Sequence, residues 1–450
     1  MRRSERRPGA SRLFWSIAIM AALAALLAPA ASATPGDQLW TKLWPTPAID
    51  YYEIRSDPVL VRGPGGDLWI AATGMDGMDR DRNYVVLRYA PTGAARWTFE
   101  TGASPFGSDY AADIAVARDG SAYVTGTTTG RGIWTIKVSP AGKRIWARRL
   151  GTSFANGAVG FAVACGSHAN AYVLGTLDRS GKGRELVLVA YSPRGKLRWT
   201  RYLSAPGGGN DIGVDVVVDA KGRCFIAGTV ASLHKGTEVA LARFTTAGAL
   251  VWKRIWDGGA SKDDVAHALA VSKAGVAVAG ATMPATGNAQ GVVLKAKLSM
   301  TKAAKLRALR SAVPGLDLGW ASVATNGAGE VAATGEATSG GTSEFAVAKW
   351  LATGVVATFT HYTPLSGAAS GHRVWLTSGG TVVAAGWLST ALGSGMHLVS
   401  LGPAPHAWVR TTVDVGVCTG LVVSADGVCV AGTVGPGSLP PQIGLWMYEP

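Results

Sequence analysis

Cysteine is scarce and poorly placed for redox or metal chemistry. Four occur in 450 residues (Cys165, Cys224, Cys418, Cys429), with no adjacent pair and no C-x-x-C, so a thioredoxin-type dithiol is excluded. The seven histidines are scattered, without H-x-x-x-H spacing. G-x-S-x-G, H-E-x-x-H and G-x-x-x-x-G-K-[ST] are all absent, which removes the nucleophile elbow, the zincin helix and the phosphate-cradling loop. A catalytic set assembled from distant loops would escape such a scan. Acidic residues are also few, 29 against 43 Lys and Arg. The only long apolar run is Leu13–Leu27, short for a membrane span of roughly 20 residues.

That run sits between Arg2, Arg3, Arg6, Arg7, Arg12 and the small-residue stretch Ala31-Ser32-Ala33. The order is that of a secretory signal. Residues 1–33 are therefore expected to be a leader cleaved near Ala33-Thr34, leaving 34–450 as one domain with no transmembrane segment. The mature chain keeps a net charge of +10. The excess collects in GKRIWARRL (142–150), RGKLRWTRYL (194–203) and TKAAKLRALR (301–310). In an exported protein such a surface suits anionic polymers, although solvated outer strands explain it as well. Export permits disulfides, with three possible pairings of the four Cys; buried free thiols are the alternative.

What the chain does have is a repeat. A short apolar strand ending in Gly recurs at Gly74, Gly126, Gly175, Gly228, Gly280, Gly335, Gly386 and Gly432, a mean period of about 51 residues. Within the second copy, Ala112–Val116, Ala122–Thr125, Trp134–Val138 and Arg144–Arg149 read as four strands. Arg118-Asp119-Gly120 and Ser139-Pro140-Ala141-Gly142 supply the turns, and Gly126 is expected to end the second strand. Four antiparallel strands per copy make one blade of a propeller. The prediction is an all-β, eight-bladed β-propeller, with seven blades as the alternative.

The fourth strand opens on G-x-x-x-W at Gly93/Trp97, Gly142/Trp146, Gly195/Trp199 and Gly248/Trp252. One more instance, Gly36/Trp40, follows the leader with no earlier strands before it. The C-terminal segment 420–450 supplies three strands and lacks a fourth. The N-terminal strand should complete the last blade and close the ring, leaving no long exposed edge. Later copies decay: Lys305-Leu306 stands where a fifth Trp is due and Thr358-Phe359 where a sixth is due, while Trp408 follows a shortened turn. The turn Ser424–Gly427 would set Cys429 opposite Val422.

DIAVARDGSAYVTGTT (113–128) and DVVVDAKGRCFIAGTV (215–230) resemble the bacterial SBBP-type β-propeller repeat. The resemblance implies fold and secretion. SPAGKRIW (139–146) and SPRGKLRW (192–199) also resemble the tryptophan-docking turns of quinoprotein-like propellers. The dehydrogenases of that group hold their cofactor over an adjacent-cysteine disulfide, which this chain lacks.

Two sets of oxygen donors are candidate sites. Asp57, Asp109, Asp211, Asp263, Asp317 and Asp414 recur near the start of the first strand and could ring a channel mouth as ligands for a cation or a basic group. Alternatively, each Asp serves its own turn. In MDGMDRDRN, Asp79, Asp81 and Asn83 alternate as in a calcium loop, but Tyr84 and Ala90 replace the expected Gly and Glu. Trp320, Trp375 and Trp387 lie outside the repeat register and are candidates for exposed contacts, with burial the alternative.

No catalytic or cofactor-binding residue is assigned, and calcium is the one cofactor considered. The expected function is an exported, non-enzymatic binding or scaffolding module in the cell envelope or extracellular space. It would be monomeric and would engage an envelope protein or anionic polymer rather than nucleic acid. The alternative is a hydrolase or lyase acting on extracellular polysaccharide, with its site in the axial channel.

Overall fold

A computed structural model describes residues 34–450, apart from 45–51, 55–57, 77–80, 104–106, 131, 152–156, 180–182, 206–208, 233–235, 301–304, 312–314, 365–366, 391–392, 403–406, 414–416 and 435–441. The expected leader, Asp57, Asp79 and Asp414 lie outside the described residues. Among the described residues no helix is long and apolar enough to cross a membrane.

Eight sheets, each with four main antiparallel strands, make up the fold, and the short strand Gly209–Asn210 adds a parallel pair to the third. Their first strands are Val59–Arg62, Asp109–Val116, Val159–Cys165, Ile212–Val218, Asp264–Val271, Asp317–Thr325, Ala369–Leu376 and Cys418–Ser424. Each first strand contacts the first strands of both neighbouring blades, and the cycle closes from blade 8 to blade 1. Eight blades, not seven, surround one axis. The second and third strands are buried on both faces, as in Ala171–Arg179 and Gly183–Tyr191, because each sheet is sandwiched between two others. The fourth strands alternate exposed and covered residues on the rim, as in Arg144–Leu150. Gln38–Trp44 pairs antiparallel with Gln442–Tyr448 and supplies the fourth strand of blade 8. Both chain ends therefore meet in one sheet.

The recurrent glycine does not end its strand. Ala122–Thr128 runs through Gly126, and Val331–Ser339 runs through Gly335. Its cause lies across the ladder, where the first strand carries a bulge: Ala111 faces Gly126, yet Asp113 already faces Thr125. The bulge pushes a carbonyl toward the glycine. A Cβ would stand 2.6 Å from Val417 O at Gly432 and 2.8 Å from Ile212 O at Gly228, and closer still at Gly126, Gly280, Gly335 and Gly386. Only glycine admits that approach.

The blades are joined on the rim by docked tryptophans. The Trp97, Trp146 and Trp199 indoles lie over Gly142, Gly195 and Gly248 of the next blade. Each Nε1–H donates to a carbonyl in the same turn, Pro140, Pro193 and Thr246 respectively, at 2.9–3.1 Å. Ring closure uses the same ring-over-glycine contact, since Trp408 covers Gly36 and Trp40 covers Gly93, but Trp408 Nε1 has no acceptor among the described residues. Two residues after the Trp, Arg148, Arg201 and Arg410 donate Nε to the carbonyls of Gly195, Gly248 and Gly36. Part of the basic excess in the fourth strands thus caps joints between blades.

Ladder register corrects one position. Arg307, opposite Lys295, occupies the docking place in blade 5, rather than Lys305-Leu306. The connection before it is longer than in other blades and shifts the count. Thr358 holds the place in blade 6, with Phe359 beside it packed on Trp320. All four cysteines are free thiols, and Cys429 does face Val422.

Candidate functional site

The first strands wall the axis, and their bulges decide what faces it. Ladder register makes Asp113, Ala162, Asp215, Ala268, Ser322, Arg373 and Gly420 equivalent across blades 2 to 8. Two carboxylates and one guanidinium therefore share this level of the ring. Asp113, Asp215 and Arg373 are each only partly covered, although the strands that carry them are innermost.

Both carboxylates are gripped in the same way. Asp113 accepts from its neighbour Ile114 N at 2.8 Å through Oδ1, and from Val163 N of blade 3 at 2.8 Å through Oδ2. Asp215 accepts from Val216 N at 2.7 Å and from Leu269 N of blade 5. In blade 6 Ser322 plays the same part, its Oγ accepting from Val374 N of blade 7 at 3.3 Å. Alternate blades thus hold the next one by an acceptor at the bulge.

Burial disfavours the charged form, and here it outweighs the hydrogen bonds. The Asp113 carboxyl is pushed up to about 6 by burial, against the pull of the Val163 and Ile114 amides and of Arg373. Asp215 is pushed up to about 8, first by burial and then by the Asp113 charge, against Val216, Leu269 and Arg373. The three groups feel one another across the channel. His267 and His372 occupy the bulges of blades 5 and 7. His267 is exposed, with Nδ1 3.0 Å from Trp320 O; a carbonyl only accepts, so Nδ1 carries the proton.

The acids expected to ring the channel mouth have a different place. Asp109 and Asp211 are buried four residues before the bulge acids and accept from Ala103 N at 2.6 Å and Ala231 N at 3.0 Å. The equivalent in blade 5 is Asp264, which accepts from Gly258 N at 2.6 Å. Asp263 is one residue off that register and accepts from Thr237 N, while Asp317 accepts from Ala289 N at 2.7 Å. Each described member of the set accepts from a backbone amide, in a loop for Asp109 and Asp317 and at a strand end for Asp211 and Asp263. Burial raises Asp211 to about 6, with Glu185 adding to the effect.

Asn83 donates to Glu100 at 2.9 Å within blade 1, and Asp81 immediately precedes the same strand. No three His, Cys, Asp or Glu side chains among the described residues could hold a metal ion together. Trp320 is fully buried, Trp387 is half-buried and Trp375 is exposed.

The bulge acids escaped the sequence scan, yet they stand in it. DYAAD and DIGVD each carry two acids four residues apart, and only the bulge between them turns the second, not the first, toward the axis. Nothing in the sequence marks Arg373.

No known family and no curated protein matches the chain. Solved structures similar to it include a β-propeller domain and a WD40 domain. The β-propeller domain of the Trilobed protease from Pyrococcus furiosus is 9% identical, with 80% of this chain and 95% of that one covered and a TM-score of 0.45. The WD40 domain of SCAP from fission yeast is 10% identical, over 91% and 95%, at 0.49. A polysaccharide lyase, ulvan lyase, is 11% identical, over 89% and 95%, at 0.45. Similarity at this level carries no argument about activity.

Proposed function

We propose that the chain is exported and acts without catalysis, as a rigid binding or scaffolding module of the cell envelope or extracellular space. Export is supported by the order Arg cluster, Leu13–Leu27, Ala31-Ser32-Ala33, and by the likeness of DIAVARDGSAYVTGTT to SBBP-type repeats. The observation that carries the non-catalytic reading is the grip on the axial carboxylates. Asp113 commits both oxygens to amides of two blades, and Asp215 is held by amides of two blades in the same manner. A general acid or base needs an oxygen within reach of substrate, and moving either carboxylate would break a joint. The contact surface in this reading is the axial channel with its surrounding loops, and the partner an envelope protein or anionic polymer.

One observation favours the second reading, a hydrolase or lyase of extracellular polysaccharide: two acids raised toward neutrality converge with Arg373 on one channel. The test is product release from a panel of neutral and anionic extracellular polysaccharides, followed as new reducing ends and as ultraviolet-absorbing unsaturated ends. The proposed function predicts no release above blank at any pH from 5 to 9. Release that Asp215→Asn abolishes would establish the enzyme instead.

A further inference from the structure

Blade 5 departs from the repeat twice at one joint. Across from the docking residue, the third strand carries a cation in five blades: Arg88, Lys137, Arg243, Lys295 and Lys349. In four of them the turn between the first and second strands supplies an acid. Arg88 pairs with Asp67 at 2.5 Å, Lys137 with Asp119 at 3.5 Å and Lys349 with Glu330 at 3.0 Å, while Arg243 lies in the field of Asp219. The blade 5 turn, Ser272-Lys273-Ala274-Gly275, has no acid. Lys295 donates instead to Gly329 O of blade 6 at 2.7 Å.

The second departure is Arg307. Where five other joints dock an indole over the glycine of the next turn, Arg307 lies over Gly354 and donates to Thr353 O. A guanidinium fills less apolar space than an indole, and a cleft of about 560 Å³ opens on the hairpin-turn face between blades 5 and 6. Lys295, Lys297, Lys305 and Arg307 line it, over a floor that includes Val276, Ala296 and Met300. Among the described residues no carboxylate lines it, and none of the four cations is ion-paired. The crowding is felt: burial first, then the Arg307 charge, holds Lys295 below the usual lysine range.

We infer that this cleft binds a small organic anion in which an apolar or aromatic group adjoins a carboxylate or phosphate. Such a ligand supplies both missing partners, the ring that docks at other joints and the acid that pairs the third-strand cation. The volume lies in the range of small-molecule sites, and an apolar floor with a few polar groups is their usual composition. The anion is held by charge-assisted hydrogen bonds, which are strong where water is partly excluded. The inference goes beyond the axial site, and neither depends on the other.

The test is calorimetric titration of the mature chain with 2-naphthyl phosphate, 2-naphthoate, neutral 2-naphthol and inorganic phosphate. One or both naphthyl anions should bind at least about tenfold more tightly than naphthol or inorganic phosphate, a difference of about 1.4 kcal/mol. Preference between the two anions tells a phosphate source from a carboxylate source. Ala274→Asp with Arg307→Trp restores the pattern of blade 2 and should lose that binding while melting no lower than wild type. Should that variant fold poorly, Lys297→Gln with Lys305→Gln must weaken the same anions without lowering the melting temperature. Equal affinity for inorganic and naphthyl phosphate, unchanged binding in the folded variants, or no binding of either anion overturns the inference.

Discussion

Replacing Trp146 and Trp252 by phenylalanine separates two contributions that the docked tryptophans combine. Trp146 is 7% exposed, packs on Tyr123 and Tyr191 at centroid distances of 5.7 and 5.8 Å, and donates Nε1–H to Pro193 O at 3.0 Å. Trp252 is still more buried, at 1%, but its Nε1 has no acceptor among the described residues, and the blade 5 connection 297–306 contains no Gly to dock on. Removing either indole to Ala should cost about 3–5 kcal/mol from lost burial and the cavity left behind. The Phe variants should diverge. Trp146→Phe loses a hydrogen bond worth about 1 kcal/mol in addition to part of the ring. Trp252→Phe removes a buried donor that has no acceptor among the described residues and whose desolvation costs about 1–3 kcal/mol, which offsets the smaller ring. Thermal unfolding by circular dichroism should therefore place Trp252→Phe near wild type and Trp146→Phe clearly below it. Equal losses in the two variants would refute the claim that docking geometry, and not burial alone, holds the joints.

Other outcomes follow from the same structure. Gly195→Ala should destabilise by at least about 1–2 kcal/mol from its left-handed backbone (φ 77°), and further because the new Cβ meets the Trp146 ring at 2.9 Å, as urea unfolding would measure. Deleting residues 36–44 removes the fourth strand of blade 8 and the two dockings, Trp408 on Gly36 and Trp40 on Gly93, that close the ring. That deletion should lower the melting temperature of the whole fold rather than of one blade. Burial raises the thiols of Cys224, Cys418 and Cys429, and Cys165 donates to Val116 O at 3.1 Å with its thiol pushed up to about 11. A disulfide-exchange reagent at pH 8 should find no fast thiol in the native chain and four after denaturation.

The parts of this molecule visible in its sequence are those that every blade needs. The glycine opposite the first-strand bulge, the G-x-x-x-W turn and the orphan strand at Gly36–Trp44 recur because each blade solves the same packing problem. Gly126 reads as a strand end in the sequence, because a bulge in the partner strand leaves no mark in linear pattern. The axial acids were half legible: Asp113 and Asp215 open the two clearest repeat strings, yet which Asp of a pair faces the axis depends on that same bulge. Arg373 and the blade 5 cleft were not legible, because each is a single departure from the repeat. A longer connection before Arg307 hid its register with Trp97 and Trp146.

Asp113 and Asp215 staple neighbouring blades together at the bulges, and their linkage to stability tests that role. Their folded-state values, about 6 and about 8, lie above the ordinary carboxylate value of 3.8. Between that value and about 8 the folded chain therefore keeps protons that the unfolded chain has released. Their contribution is complete below about pH 4 and is lost as pH rises through the folded values, on the order of 3 kcal/mol for Asp113 alone. Asp211 titrates by about 6, His397 (held down at about 4 by burial) adds an opposite slope only up to its ordinary 6.5, and the buried thiols add a loss only toward their ordinary 9, so the window from pH 7 to 8 belongs chiefly to Asp215. The decisive measurement is unfolding free energy against pH across that window, for wild type and for Asp215→Asn. The account predicts that wild type loses stability as pH rises while the variant is flat. A flat wild-type profile, or an equal slope in the variant, would contradict it.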